Sequence, residues 1–366
     1  MPIFDRVPII YRDAPYLGVD LSDTSIKVVQ LQREGDRQKV LFYGKSKMPT
    51  GYIEKGVVVE PNKVAKMLVT LIGGSMTGVA TARRVIVNVP TRYTFQRRVS
   101  VPKLKPQYQT EAALLETMDD LPDLPGKLTI AFDSDDTQTV NRTTSVPRGK
   151  TEIILGAIPR TITDSYLQTF YAAGLEMCAI EPTSQSLARL YKYTEQEPTP
   201  TILVDIGSNS VELVLLSQGI RSTAWLKSGG DLLTELIAKE LRVGVKPAEV
   251  LKLKYGLGVS EYQKEIQRAV APVLDLIAIE VRKLIQKFEH TSGKTRAVTQ
   301  IVTTGGGANM PSLDGYLINA LRMPVKMCSL WQGLDFTMLQ RPDVFHSSGY
   351  ATAIGLALAT PEEIYT

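Results

Sequence analysis

Two segments of the chain place an aspartate directly before a turn of small polar residues. They span residues 16–31 and 201–216 and align without a gap, with Asp20 in the position of Asp205. Each reads as an apolar strand, a small-residue turn and a second apolar strand, a pattern typical of β-hairpins. Main-chain N–H groups of such turns bind phosphate oxygens, and a neighbouring carboxylate can hold a hydrated Mg²⁺. Two such hairpins facing each other would bind one nucleotide from two sides.

A glycine-rich turn at residues 305–308 is the third candidate. It follows a predicted strand at 300–304 and precedes a predicted helix that runs through Leu321. Glycines let a flat ligand approach the main chain, and a helix N-terminus favours phosphate. One such turn is weak evidence by itself, but its place after two aspartate hairpins indicates a nucleotide site.

Glu181 is the candidate for handling a water molecule. The pattern predicts that it heads a helix with Pro182 in the first turn. An acid at a helix start commonly does no more than complement the helix dipole. The functional alternative is a carboxylate that orients the water attacking a γ-phosphate, as a base or a positioning group.

Composition limits the remaining classes of function. The chain has 366 residues, 43% of them apolar, and a net charge of +4, which predicts two or three domains and gives no support to nucleic-acid binding. The two cysteines and two histidines lie in unrelated contexts, so neither a metal cluster nor a Ser/His site is expected. No apolar stretch is long enough for a membrane span or fits a signal peptide, so we expect a soluble intracellular protein.

Several elements must position these residues. The pattern predicts a helix opening at Pro61 and stopping at Gly73, and a buried strand at 85–89. It also predicts a long helix over 260–290 that Pro272 kinks or splits. A small unit rich in charges extends from about residue 91 to 169, with a polar loop at 133–150 and a basic entry stretch at 92–105. Charge runs are usually solvated faces, and the alternative is a docking surface.

The hairpins, the glycine-rich turn and two small-residue helical motifs at 181–188 and 351–358 resemble the actin-like ATPase superfamily. Within it, the chain is most similar to the PilM family of type IV pilus assembly proteins. The shared motifs lie at residues 20–27, 111–125, 172–182, 229–232, 304–313 and 323–325. Two positions depart from the family pattern: Ser22 replaces a glycine of the first turn, and Asp123 replaces an aromatic residue.

The resemblance implies an α/β fold with two lobes, a duplicated ribonuclease-H-like core and an inserted small α+β domain. It predicts an N-terminal extension at 1–15, a first-lobe core (1A) at 16–92, 173–199 and 341–366, and an inserted domain (1C) at 93–172. The second lobe comprises a core (2A) at 200–230 and 292–340 and a helical subdomain (2B) at 231–291.

The site residues implied by the resemblance fall into three groups. Glu181 is the catalytic candidate, and Asp20 and Asp205 are the candidates for Mg²⁺, acting mainly through its waters. The candidates for binding ATP or ADP are Ser22, Asp23, Thr24, Ser25, Lys27, Gly207, Ser208, Asn209, Ser210, Gly229, Gly230, Gly305, Gly306, Gly307 and Ala308.

The implied partner is the N-terminal cytoplasmic peptide of a PilN-like bitopic inner-membrane protein, which would hold the chain at the cytoplasmic face of the membrane. The resemblance also allows contacts with pilus motor ATPases and self-association. At most, a slow ATPase is expected. A cell-division protein of the FtsA type is one alternative, disfavoured because residues 359–366 do not read as a basic amphipathic helix. A sugar kinase or exopolyphosphatase is another, and no distinct base for a substrate hydroxyl is apparent.

Overall fold

The computed structural model describes residues 15–35, 37–74, 77–134, 149–195, 199–291, 297–336, 339–343 and 347–364. The predicted N-terminal extension at 1–15 lies almost wholly outside the described residues, and so does most of the predicted loop at 133–150.

The strands follow the chain in this order: β1 (Tyr16–Leu21), β2 (Ser25–Glu34), β3 (Arg37–Lys47), β4 (Ile53–Glu54), β5 (Val57–Val58), β6 (Arg84–Val89), β7 (Phe95–Pro102), β8 (Leu128–Ser134), β9 (Lys150–Pro159), β10 (Glu176–Pro182), β11 (Thr201–Ile206), β12 (Val211–Leu216), β13 (Ile220–Leu226), β14 (Gln300–Thr304), β15 (Val325–Met327) and β16 (Leu334–Asp335). The helices are α1 (Pro61–Gly73), α2 (Pro106–Thr117), α3 (Arg160–Ala172), α4 (Thr183–Thr194), α5 (Gly230–Leu241), α6 (Val245–Lys254), α7 (Gln263–Thr291), α8 (Leu313–Leu321), α9 (Ala351–Ala357) and α10 (Pro361–Ile364).

Two large sheets repeat one topology. The first has the order β10-β6-β1-β2-β3-β16, and the second has the order β13-β12-β11-β14-β15. In each sheet, three antiparallel strands (β1–β3 or β11–β13) are followed by two parallel strands on the other side of the first one. The duplication read from two hairpins therefore extends over five strands of each sheet, and the predicted duplicated two-lobe α/β arrangement is confirmed.

Helices α4 and α9 join the two sheets through one apolar cluster. It contains Leu187 and Leu190 of α4, Ile354 of α9, and buried residues from both sheets such as Val29 and Val214. The two helices cross tightly, because a Cβ added to Gly355 would lie 2.1 Å from the main-chain oxygen of Ser186. The connection between the sheets is thus a packed core.

The outer face of each sheet has its own helical layer. Helices α1 and α3 cover the first sheet, where Ile162, Tyr166 and Phe170 of α3 belong to the same cluster as Leu17 and Val19 of β1. The sequence analysis had assigned residues 160–172 to the inserted domain. Helices α5, α7 and α8 contribute to the buried cluster of the second sheet.

Helix α7 continues through Pro272, so of the two predicted outcomes, a kink or a split, the split does not occur. Proline removes one main-chain donor from a helix. The apolar stripe around it, including Ile266, Val270, Val273 and Ile277, is buried in the second-sheet cluster. Burial of each such side chain stabilises by roughly 1.5–3 kcal/mol, which outweighs one lost hydrogen bond.

A small antiparallel sheet of order β7-β9-β8 forms the inserted unit together with α2. Its core contains Val99, Val101, Ala113 and Ile153. Strands β7 and β9 begin and end side by side, because Phe95 pairs with Ala157. The chain therefore enters and leaves this unit at one place.

The structure differs from the sequence-based predictions for two local elements. Glu181 lies in strand β10, opposite Asn88 of β6, and α4 begins only at Thr183, after Pro182. The glycine-rich turn leads first into a short 3-10 turn at Gly306–Asn309, and α8 begins at Leu313. Among the described residues, no helix is long and apolar enough to cross a membrane.

Candidate nucleotide site

The two hairpin turns share one main-chain geometry. The N–H of Ser22 donates to the oxygen of Ser25 at 3.0 Å, and the N–H of Gly207 donates to the oxygen of Ser210 at 2.9 Å. In each turn, the donor stands two residues after the aspartate (Asp20 or Asp205), and the acceptor stands five residues after it. The aligned sequences therefore fold into matching turns despite the serine at position 22.

Each turn leaves the same two main-chain donors available. Within the described part of the chain, no protein acceptor is found for the N–H groups of Asp23 and Thr24, or of Ser208 and Asn209. The N–H of Ser25 donates to the hydroxyl oxygen of Ser22 at 3.1 Å and is therefore not free. The predicted main-chain donors for phosphate in the first turn are therefore narrowed to Asp23 and Thr24.

The turns meet across the gap between the two large sheets. The side-chain amide of Asn209 donates to Asp23 Oδ2 at 3.3 Å, joining residues 186 positions apart in the chain. The free N–H groups of both turns thus line a single site. A nucleotide bound from two sides would require this arrangement.

Asp20 and Asp205 lie behind these turns, and the charge of Asp20 acts on Asp205. Lys27 Nζ binds Asp20 Oδ2 at 2.7 Å. Enclosure by the protein, reinforced by the charge of Asp20, raises the pKa of Asp205 to about 6, and Lys27 offsets part of the rise. The site therefore holds two neighbouring carboxylates and one bound lysine.

Glu212 is a site residue that the sequence analysis missed. It pairs with Asp205 across the second hairpin as Lys27 pairs with Asp20 across the first. Its Oε1 is enclosed and has no hydrogen-bond partner among the described residues. Burial raises the pKa of Glu212 to about 8, Asp205 adds to the rise, and contacts from Thr91 oppose it. The sequence contained a signal for Glu212, because Lys27 and Glu212 each stand seven positions after the aspartate of their hairpin.

The raised pKa of Glu212 predicts a pH-dependent stability. The folded chain keeps this proton to a higher pH than the unfolded chain, so stability falls as the pH rises from 4.5 to about 8 and then levels off. Glu212→Gln removes the titrating group. We expect it to raise the free energy of unfolding by about 1–3 kcal/mol at pH 9 and to change it little at pH 5.

Denaturant unfolding of the ligand-free protein at the two pH values measures this effect. Glu235→Gln, at an exposed position of α5, is the matched control and should show no gain that depends on pH. An equal effect of Glu212→Gln at both pH values would contradict the prediction.

The glycine-rich turn lies against the second hairpin. Gly305 has φ +84°, and a Cβ there would lie 2.5 Å from Asp205 Oδ1. Ser348, just before α9, fixes the turn by donating to the oxygen of Gly305 at 2.8 Å. This part of residues 305–308 therefore borders the carboxylate site, as the order of motifs had indicated.

The predicted pair Gly229 and Gly230 is also tied to the second turn. The N–H of Gly230 donates to the oxygen of Gly207 at 2.8 Å. Lys252 of α6, which is buried, donates to the oxygen of Gly230 at 2.8 Å and to Thr234 at 2.6 Å. Burial lowers the pKa of this lysine. The sequence pattern gave no signal for Lys252.

Glu181 is bound on both oxygens by an arginine. Arg189 of α4 donates to Oε1 at 2.8 Å and to Oε2 at 2.9 Å, and it also reaches the oxygen of Gly355 and Glu363 of α10. Glu181 lies in β10, two strands from β1, which corresponds to about 10 Å from Asp20 across the sheet. The structure thus shows Glu181 in an ion-pair network, and its predicted catalytic role stays a prediction.

The carboxylates present fit a hydrated magnesium ion. Mg²⁺ is usually held by one or two carboxylates and by phosphate oxygens, with several waters retained. Asp20 and Asp205 supply two such oxygens beside free main-chain donors. Among the described residues, no group of three or more His, Cys, Asp or Glu side chains could hold a metal ion. A metal here would depend on the nucleotide for its remaining ligands.

Comparison with known proteins identifies relatives of this arrangement. The family model described as type IV pilus assembly protein PilM matches residues 18–361. The cell division protein FtsA of Pseudomonas aeruginosa is 27% identical over 195 residues, which are 48% of this chain and 46% of that protein. The chain thus spans less than half of that relative. FtsA of Enterococcus hirae is 21% identical over 81% of this chain and 74% of its own length.

Solved structures share the fold. The PilM–PilN type IV pilus biogenesis complex matches with a TM-score of 0.77 and 22% identity, over 94% of this chain and 98% of the matched chain. The ethanolamine utilization protein EutJ of Carboxydothermus hydrogenoformans matches with a TM-score of 0.56 and 16% identity, over 94% and 89% of the two chains. MreB 5 of Spiroplasma citri bound to AMPPNP matches with a TM-score of 0.50 and 14% identity, over 93% and 94%.

Proposed function

Because this chain belongs to the family of type IV pilus assembly proteins PilM, we propose that it is a nucleotide-binding actin-like scaffold of a pilus assembly platform. It would bind ATP or ADP with Mg²⁺ between its two large sheets. It would also capture the N-terminal cytoplasmic peptide of a PilN-like membrane protein and so be held at the inner membrane.

The matching hairpin turns carry the nucleotide part of the proposal. Each turn offers two free main-chain donors beside an aspartate, and the turns touch through Asn209 and Asp23. Phosphates would bind these donors, and the metal waters would bind Asp20 and Asp205. The glycine-rich turn, which borders Asp205, would line the nucleoside. Calorimetric titration with Mg-ATP tests this directly, and the absence of saturable binding would contradict it.

The nucleotide would act as a conformational ligand. It would contact the first hairpin in one sheet and the second hairpin in the other, so binding favours the arrangement in which both turns are close. MreB 5, whose structure contains AMPPNP, shows that the shared fold accommodates a nucleotide in that protein.

We expect ATP hydrolysis by the isolated chain to be slower than about one turnover per second. The carboxylate of Glu181 is engaged by Arg189 on both oxygens, so it is poorly available to orient a water molecule. General acid–base groups typically contribute about 10²–10⁴-fold to a rate. Phosphate release in the presence of Mg-ATP is the measurement. A turnover well above one per second without a partner would favour the kinase or phosphatase alternative.

The partner part of the proposal follows from the family and from the inserted unit. The solved relative is a complex of PilM with PilN. In the present chain, the helix and turns of the inserted unit expose large apolar side chains, namely Leu104, Tyr108, Leu115, Met118 and Leu124. A peptide can pack apolar side chains against such a surface, and an edge strand of the small sheet can supply main-chain hydrogen bonds. If the nucleotide changes peptide affinity, the peptide must change nucleotide affinity by the same factor.

The FtsA relatives give the second candidate function some support. The PilM family model covers nearly the whole chain, whereas the Pseudomonas FtsA match covers 48% of it. We therefore retain the pilus scaffold as the proposed function.

A further inference from the structure

Arg92 crosses from the first large sheet to the second. It lies in the 3-10 turn Thr91–Tyr93, which follows β6 of the first sheet and precedes β7 of the inserted unit. Its Nη1 donates to Ser210 Oγ of the second hairpin turn at 2.9 Å. The sequence analysis placed this arginine only at the start of the basic stretch 92–105, and the nucleotide site described above does not include it.

Aromatic rings flank the guanidinium on both sides of the gap. Its central carbon lies 4.7 Å from the ring centre of Tyr93 and 5.8 Å from that of Trp225 in β13. Cation–π contacts of this kind contribute about 0.5–1 kcal/mol at exposed sites. Arg92 is therefore held between the two halves of the molecule by stacking as well as by its hydrogen bond.

The turn that carries Arg92 is anchored on the first half. The hydroxyl of Thr91 accepts a hydrogen bond from the N–H of Ser184, at the start of α4, at 3.0 Å. Tyr93 packs so closely on Gly56 that a Cβ there would lie 2.7 Å from its ring. Thr91 also contacts Glu212 of the second sheet, so the turn that carries Arg92 is bound to both halves of the molecule.

Ser210, which Arg92 contacts, lies beside main-chain donors that could bind a phosphate. Ser210 closes the turn that leaves the N–H groups of Ser208 and Asn209 without acceptors. Ser208 and Asn209 stand two and one positions before Ser210, and the ends of such a turn lie within about 7 Å of each other, so an anion on those donors would lie near the guanidinium. A planar guanidinium binds phosphate oxygens through two parallel hydrogen bonds, and such charged contacts are stronger than one to a neutral hydroxyl.

We propose that Arg92 senses the terminal phosphate of a bound nucleoside triphosphate, exchanging its contact with Ser210 for that phosphate. This inference rests on the proposed nucleotide site and adds to it a residue that distinguishes a triphosphate from a diphosphate. Because β7 begins at Phe95, three residues later, the exchange also links the nucleotide state to the entrance of the inserted unit.

The first test compares ATP and ADP affinities by calorimetry. Arg92→Ala should weaken ATP binding about tenfold, the value of one charged hydrogen bond, and leave ADP binding nearly unchanged. Arg92→Lys keeps the charge without the planar guanidinium, so its ATP affinity should lie between those of the wild type and of Arg92→Ala. Arg97→Ala is the matched control, since Arg97 is an exposed arginine of β7 paired with Asp120 and should affect neither affinity.

The second test follows the stacking contact itself. The chain has two tryptophans, and Trp331 is buried while Trp225 is 50% exposed, so Trp331→Phe leaves Trp225 as the only indole. ATP should shift the emission of Trp225 more than ADP does, and Arg92→Ala should abolish the difference.

The outcomes separate this inference from the proposed function. A wild-type chain that binds no nucleotide overturns both. A wild-type chain that binds ATP, together with an Arg92→Ala variant that keeps the same ratio of ATP to ADP affinity, overturns the role of Arg92 alone. Thermal unfolding of each variant establishes that the fold is retained.

Discussion

Replacing Asp205 with alanine should weaken the binding of Mg-ATP by about 10- to 100-fold, the effect typical of a group that orients a metal through its ligands. Asp205 stands near Asp20 at the base of the two hairpin turns, where burial, reinforced by the charge of Asp20, raises the pKa of Asp205 to about 6. Losing it leaves the metal waters with one carboxylate in place of two. Calorimetric titration of ATP at fixed Mg²⁺ measures the change.

Asp314→Ala provides the matched control. Asp314 is an exposed aspartate in the first turn of α8, so its loss removes the same charge without touching the hairpins. The Asp205 variant should remain folded, because removing an aspartate whose pKa is raised relieves a cost of burial. Unchanged ATP affinity in the folded variant would show that the metal is held elsewhere.

Removing the inserted unit should abolish capture of the PilN-like peptide while ATP binding is retained. Deleting the inserted domain with the limits implied by the resemblance, 93–172, would remove Ile162 and Tyr166 from the core of the first sheet. The structure gives a cleaner cut, because Phe95 pairs with Ala157. Residues paired across antiparallel strands lie about 5 Å apart, so three Gly-Ser linker residues can replace 95–157.

A pull-down against the immobilised peptide, with ATP titration in parallel, measures both properties. Retained ATP affinity shows that the two large sheets have folded. A chain that lacks 95–157, binds ATP normally and still captures the peptide at full affinity would place the peptide groove outside the inserted unit. The full chain carrying Arg97→Ala serves as a control for loss of positive charge alone.

The local signals of the sequence predicted the elements that depend on neighbouring residues. The hairpins at Asp20 and Asp205 follow from alternating apolar strands around small-residue turns, and helix α1 follows from Pro61 and Gly73. These features require no knowledge of distant parts of the chain. The hairpins also mark the duplication, because each lies in the antiparallel part of a large sheet, whereas the two-lobe architecture was implied by the family resemblance and β16 extends only the first sheet.

The predictions that were wrong or missing concern residues whose surroundings depend on contacts with distant parts of the chain. Glu181 was read as a helix start because Pro182 follows it, yet pairing with β6 makes it the end of a strand and Arg189 binds its carboxylate. The contact of Arg92 with Ser210 joins residues 118 positions apart, and no periodic pattern encodes it. The raised pKa of Glu212 likewise arises from burial, which depends on how the sheets assemble.

The equivalent positions of the two hairpins carry different groups, the ammonium group of Lys27 in the first and the carboxyl group of Glu212, which its raised pKa keeps largely protonated near neutral pH, in the second. A repeat that had kept one residue at both positions would present two equal faces, and a ligand could enter in either direction. With a cation on one side and a carboxyl group on the other, the gap acquires an electrical polarity. A ligand with an anionic end and a neutral end would then be favoured in one orientation, because the two repeated hairpins differ at these positions.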